Sequence, residues 1–132
     1  MSDKTILITG CSSGIGQRVA RGLKARGWRV FATARQPADV ARLQAEGLES
    51  LPLDLRDSDA IRTAVAAVLD QTGDRLDALF NNGAYGQPGA VEDLSREALR
   101  EQFETNLFGT QELTNQVLPV MRRQGGGRIL YN

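Results

Sequence analysis

Five short apolar runs alternate with stretches whose apolar residues recur at helical spacing, and this alternation constrains the fold more than any other feature of the chain. Thr5-Ile6-Leu7-Ile8-Thr9 is a nearly continuous apolar segment, as expected of a strand buried on both faces of a sheet. Ile15, Val19, Ala20 and Leu23 then form one stripe of a helix over about 14–26, with Arg18, Arg21, Lys24 and Arg26 opposite. Gly27 is placed to end that helix in a left-handed cap. Residues 29–34 read as a second strand, 37–46 as a short helix and 49–53 as a third strand. Ser58 is positioned to cap a helix that buries Ile61, Ala64, Val65, Val68 and Leu69 and closes at Thr72-Gly73.

Ala78-Leu79-Phe80 forms the fourth strand. The longest helix is expected over 95–122, with the stripe Leu99, Phe103, Leu107, Thr110, Leu113, Val117 and Met121, and with Pro119 kinking or loosening its last turns. Gly125-Gly126-Gly127 breaks the chain, and Arg128-Ile129-Leu130-Tyr131 opens a fifth strand. Alternation at this spacing implies right-handed βαβ crossovers and a parallel sheet covered on both faces. The fold class is therefore α/β, a Rossmann-type three-layer α/β/α sandwich. The 132 residues support one domain with its own core, and no repeat, linker or low-complexity segment interrupts them.

Composition removes whole classes of function. Sixteen basic and sixteen acidic residues cancel, so no basic field argues for nucleic acid. The first apolar run is too short for a signal-peptide core or a membrane span. With one cysteine, Cys11, no intrachain disulfide forms, and a reducing cytoplasmic setting is expected. The chain has no histidine, which excludes a Ser-His-Asp triad, a Cys-His pair and a His-ligated zinc site; no metal site is expected. Any chemistry must use hydroxyls, amides, carboxylates, Lys, Arg or a bound cofactor.

Gly10-Cys11-Ser12-Ser13-Gly14-Ile15-Gly16 lies between the first strand and the first helix. A helix N-terminus offers unpaired N–H groups and partial positive charge, which suits a pyrophosphate, and glycines let the backbone turn sharply and the phosphates come close. Ser12 and Ser13 add hydroxyl donors. A plain tight turn is the competing reading; the loop's place after the first strand of a βα alternation weighs against it. The spacing is not that of a P-loop, and no Gly-Lys-Ser/Thr follows.

In a dinucleotide-binding fold the end of the second strand meets the adenosine ribose, where an acidic residue would repel a 2′-phosphate. Here the segment reads Thr33-Ala34-Arg35. A charge-assisted Arg–phosphate contact contributes about 1.5–3 kcal/mol, so Arg35 points to NADP(H) over NAD(H). The competing reading is an ordinary solvated arginine.

Thr9-Gly10-x-x-x-Gly14-x-Gly16, Leu53-Asp54-Leu55, Asn81-Asn82-Gly83-Ala84, Asn106 and Gly127-Arg128-Ile129 occur in this order, and with them the chain resembles the short-chain dehydrogenase/reductase family. The resemblance covers essentially the whole chain and corresponds to about the N-terminal half of a typical member. It implies strand order 3-2-1-4-5, with residues 1–132 as a dinucleotide-binding half-domain. It implies that Gly10, Ser12, Ser13, Gly14, Ile15 and Gly16 wrap the pyrophosphate and adenosine ribose. Arg35 would select the 2′-phosphate. Asp54, otherwise a strand-end cap, would accept from the adenine amino group, with Leu55 adding a backbone contact. Asn81, Asn82 and Gly83 match the family's Asn-Asn-Ala-Gly turn beside the cofactor, except that this chain reads Gly83-Ala84. Asn106, otherwise a solvated mid-helix residue, would complete a catalytic tetrad through a water link to a lysine.

The resemblance further implies hydride transfer between nicotinamide and a small carbonyl or alcohol substrate. The family's catalytic Ser and Tyr-x-x-x-Lys would follow the fifth strand, so the chain is expected to bind cofactor without turning over. It is also expected to form homo-oligomers through the long helix. A non-catalytic dinucleotide-binding or sensing module is the rival reading. A nucleotide-sugar epimerase or methyltransferase is a third, which Asn106 with Asn81-Asn82 argues against.

Overall fold

The computed structural model describes residues 4–132. The first three residues, on which part of the N-terminal reading rests, lie outside the described residues. Strands β1 (Thr5–Ile8), β2 (Arg29–Ala34), β3 (Glu49–Pro52), β4 (Ala78–Asn81) and β5 (Arg128–Tyr131) make one five-stranded sheet in the order β3-β2-β1-β4-β5. Every pairing in it is parallel.

The period of two along each strand divides the core. Leu7, Phe31 and Leu79 point to one face, where they meet α3 (Ser58–Thr72) and α5 (Thr110–Arg123) through Ile61, Val65, Val68, Leu113 and Val117. Ile6, Ile8, Val30, Ala32 and Ala78 point to the other, against Ala20 of α1 (Gly14–Ala25) and Val40 and Leu43 of α2 (Pro37–Ala45). Each Val, Leu, Ile or Phe among these stabilises the fold by about 1.5–3 kcal/mol when fully buried, and each Ala by less.

Two expectations need correction. The cap of α3 is Asp57, not Ser58: its Oδ1 accepts from the backbone N–H of Asp59 at 2.9 Å and of Ala60 at 3.2 Å. A carboxylate at the positive end of a helix is a stronger acceptor than a hydroxyl. Ser58 becomes the first helical residue, and its hydroxyl donates to Glu112 of α5 at 2.8 Å.

The second correction concerns the long helix. It is two helices, α4 (Arg96–Phe103) and α5, joined by a six-residue π-helical segment, Glu104–Gly109. Ser95 does cap α4, accepting from the Ala98 N–H at 3.1 Å, and α5 continues through Pro119 to Arg123. A π turn inserts an extra residue, which rotates everything before it by about 100° relative to everything after. The single stripe is thereby split. Leu113, Val117 and Met121 are buried, whereas Leu99, Phe103 and Leu107 are 41%, 52% and 49% exposed.

Candidate functional site

The sheet order reverses between β1 and its neighbours β2 and β4, and a crevice opens beyond the C-terminal ends of these strands, where open α/β sheets bind ligands. A cavity of about 280 Å³ lies there, walled by the glycine loop, the ends of β2 and β3 and the turn after β4. A larger hollow of about 710 Å³ runs along the outer flank of α1. Its walls come from one helix and no backbone donors converge on it, so the smaller cavity is the candidate site.

The glycine loop is tied down by the neighbouring turn. Gly10 and Gly14 adopt φ of +67° and +57°, in the left-handed region. The Thr9 hydroxyl accepts from the backbone N–H of Asn82 at 3.0 Å and of Gly83 at 2.7 Å. In return the Asn82 side-chain amide donates to the carbonyls of Thr9 at 3.2 Å and Gly10 at 3.1 Å. A Cβ on Gly16 would lie 2.6 Å from that amide nitrogen, so only glycine lets α1 start this close to the turn. Cys11 is fully buried beneath the loop, with its N–H on the Thr33 carbonyl at 2.8 Å. Burial pushes its thiol up to about 12, against the smaller opposing pull of the Thr33 backbone bond. Cys11 holds the loop and is no nucleophile. Ser13, the N-cap of α1, makes no side-chain cap bond, which leaves the first turn's N–H groups open to an anion.

Thr9, Gly10, Ser12, Ser13, Arg35, Leu55, Asn82 and Gly83 line the cavity. Arg35 follows β2, is exposed, and has no hydrogen-bond or ion-pair partner among the described residues. Asp54 stands at the end of the β3 segment outside the cavity wall, paired with Arg56 through contacts of 3.2 and 3.0 Å. The Arg56 side-chain bond, outweighing partial burial, holds the Asp54 carboxyl below the usual carboxylate value, with Arg35 adding to the effect. It is thus an ionised acceptor. Leu55 is buried, and a Cβ on Gly109 would sit 2.7 Å from its carbonyl carbon, which seats α5 directly on the β3–α3 turn.

Gly14, Ile15 and Gly16 form the start of α1 beside the cavity rather than its wall, and Ile15 is 57% exposed. Asn81 is turned away. It is buried between β4 and α5, where its Nδ2 donates to the Thr114 hydroxyl at 3.1 Å and its Oδ1 has no partner. The π segment carries Asn106, whose Oδ1 accepts from the Tyr85 N–H at 3.0 Å and whose Nδ2 donates to the Tyr85 carbonyl at 2.7 Å. Asn106 therefore grips the loop after β4 by its backbone.

Sequence reasoning missed Thr9, Ala34, Leu53, Ala84, Tyr85 and Thr105 as lining residues. A signal existed for Thr9, a hydroxyl directly before the first loop glycine. Among the described residues no group of three His, Cys, Asp or Glu side chains could hold a metal ion, and no helix is long and apolar enough to cross a membrane.

Comparison with known proteins agrees with this geometry. The sequence profile described as short chain dehydrogenase matches residues 4–131. The uncharacterized oxidoreductase YbbO of Escherichia coli is 39% identical over 127 residues, which cover 96% of this chain and 47% of that protein. A short-chain dehydrogenase from Streptomyces avermitilis superposes with a TM-score of 0.92 at 36% identity, covering 99% of this chain and 49% of that one. A variant actinorhodin polyketide ketoreductase solved with NADPH gives a TM-score of 0.88 at 36% identity, covering 98% of this chain and 52% of that one. The chain thus spans about half the length of the relatives it matches.

Proposed function

The chain belongs to the short chain dehydrogenase family, and from that premise we propose that its cavity binds NADP(H) as the nucleotide-binding part of an oxidoreductase. The observation that carries this reading is the cavity itself. A glycine loop and an uncapped helix start stand on one side, and an arginine free of any ion-pair partner among the described residues stands at the end of β2. That donor set fits a pyrophosphate and a 2′-phosphate. The solved structure of the related ketoreductase contains NADPH, which favours the phosphorylated dinucleotide.

In this proposal the start of α1 and the Ser12–Ser13 segment hold the phosphates, Arg35 holds the 2′-phosphate, and Asp54 accepts from the adenine amino group. The bound nicotinamide supplies or accepts a hydride at a carbonyl or alcohol carbon. Asn106 keeps the loop after β4 in place beside it. The chain's two tyrosines are differently employed: Gly89, not lysine, stands four positions after Tyr85, and the Tyr131 hydroxyl lies on β5 at 3.1 Å from that of Thr114. Its lysines, Lys4 and Lys24, lie outside the cavity wall. The residues present thus supply cofactor binding, and turnover is proposed to need a Tyr–Lys pair that they do not form.

Calorimetry with NADPH and NADH tests the reading. Tight NADPH binding is expected, and Arg35→Ala should weaken it by about tenfold to a hundredfold while leaving NADH unchanged. An Arg35→Ala chain that still prefers NADPH would remove Arg35 from the 2′-phosphate site.

A further inference from the structure

We infer that Arg42, on α2, is a positioning residue that sets the phosphate-binding loop, an inference resting on the reading that the cavity takes NADP(H). Arg42 lies outside every motif that marks the nucleotide site. Its Nη2 donates to the backbone carbonyl of Ser12 at 2.6 Å and to Asp39 Oδ1 at 2.8 Å. Its Nη1 lies 3.8 Å from Glu46 Oε1. Asp39 and Glu46 stand three residues before and four after it, the spacing of one helix face. Glu46 is itself clamped by Arg21 of α1, through bonds of 2.9 and 2.8 Å. The guanidinium is thus held on α2 by carboxylates while both of its terminal nitrogens reach across, Nη2 to the Ser12 carbonyl and Nη1 to the Gln17 side-chain oxygen of α1 at 2.7 Å.

The Ser12–Ser13 peptide gives this contact its consequence. In a planar trans peptide the carbonyl and the following N–H point to opposite sides. Once Arg42 draws the Ser12 carbonyl toward α2, the Ser13 N–H faces away from α2, and it has no acceptor among the described residues. The same contact removes a carbonyl oxygen that would repel a phosphate. Ser12, Ser13 and Arg35 line one cavity. Arg35 immediately precedes Gln36, the N-cap of α2. The β2–α2 connection therefore carries the candidate 2′-phosphate cation, and the helix it leads into carries the latch that fixes the neighbouring loop. Asp39 and Glu46 neutralise Arg42, so its contribution is the geometry of the loop and not a second charge for the phosphate.

Calorimetry on the whole chain tests this with two small probes, adenosine 2′,5′-bisphosphate and adenosine 2′-monophosphate, which lacks the 5′-phosphate assigned to the loop. Arg42→Met should bind the bisphosphate about tenfold more weakly than the parent chain and the monophosphate within about twofold. Its melting temperature should stay within about 2 °C, because exposed ion pairs add little stability. Arg42→Lys keeps the charge but lacks the planar fork, and should remain at least about threefold weaker than the parent for the bisphosphate. Unchanged binding by Arg42→Met would overturn the inference. Full recovery by Arg42→Lys would overturn it as well, by reducing the effect to charge. Equal losses for both probes, with a lowered melting temperature, would reduce Arg42 to a structural contact. Failure of the parent chain to bind the bisphosphate would instead overturn the NADP(H) reading, and the inference with it.

Discussion

The two flanks of the sheet are finished to different degrees. On the β1–α1–β2–α2–β3 side, β1 is buried along its whole length, the glycine loop is bonded to the turn after β4, and Ile15 is the one large apolar side chain left exposed among the described residues. On the β4–α4–α5–β5 side, α4 and β5 bury no residue, and Leu99, Phe103, Leu107, Phe108, Leu118, Leu130 and Tyr131 are all substantially exposed. The first flank is completed by contacts within the described residues; the second presents an apolar surface. In this molecule the parts proposed to hold a nucleotide need no neighbour, while the long helix leaves room for one.

The largest expected effect breaks the finished flank. Gly16→Val places branched carbon against the Gly10 backbone and 2.6 Å from the Asn82 amide nitrogen, which its bonds to the Thr9 and Gly10 carbonyls hold in place. Overpacking of this kind costs about 1–3 kcal/mol. Urea unfolding should show that loss, and NADPH binding should disappear with it.

A smaller effect tests the seam between the flanks. Asp77, just before β4, accepts from the Thr5 N–H at 2.8 Å and from Arg75 at 3.0 Å. Burial alone would push its carboxyl up, but the bonds from Thr5 and Arg75 hold it below the ordinary value. A depressed carboxylate contributes stability at neutral pH that is lost as pH falls below its unfolded value, about 3.9, and on through its folded value. Asp77→Asn should therefore flatten the loss of stability below about pH 4 in acid titrations followed by circular dichroism. An unchanged acid slope would mean that the seam does not depend on this charge.

The smallest effect on folding falls on the open flank. Phe103→Glu substitutes an exposed position and should change unfolding free energy by less than about 0.5 kcal/mol. If that flank mediates self-association, light scattering should show the variant as monomer at concentrations where the parent chain associates. Association that survives the substitution would direct attention to β5.

Much of this was legible in the sequence. Strand positions follow from runs such as Thr5–Ile8, whose burial is independent of detail, and β2 runs over Arg29–Ala34 as the apolar pattern predicts. The glycine loop was legible because Gly10 and Gly16 answer to local sterics that few other residues satisfy. The cap at Asp57 escaped because Asp57 and Ser58 are adjacent good cappers, and only the backbone decides between them. Asn81 and Asn82 read as equal neighbours, yet successive residues of a strand point to opposite faces, and only Asn82 reaches the cavity. The pairing of Asp54 with Arg56 and the reach of Arg42 to Ser12 depend on side-chain placement that periodicity does not encode. The π segment was invisible to a count of 3.6 residues per turn, because its surplus residue breaks that count.

That surplus residue gives the long helix one place where its length can change without turning its faces. Upstream of Glu104–Gly109 the helix addresses the outside, and downstream it addresses the core. Deleting one residue from the segment would let it close as ordinary α-helix with the two stretches still facing as they do now, whereas tightening it to α at its present length would bring Leu99 and Leu113 to the same side. Substitutions along this helix can be numerous, provided each keeps the character of its own stretch. A deletion of one residue within α4 or α5 would rotate surface toward interior by about 100°, whereas within Glu104–Gly109 it would leave both faces where they are. Lineages of this fold should therefore lose one residue within Glu104–Gly109 more readily than within Arg96–Phe103 or Thr110–Arg123.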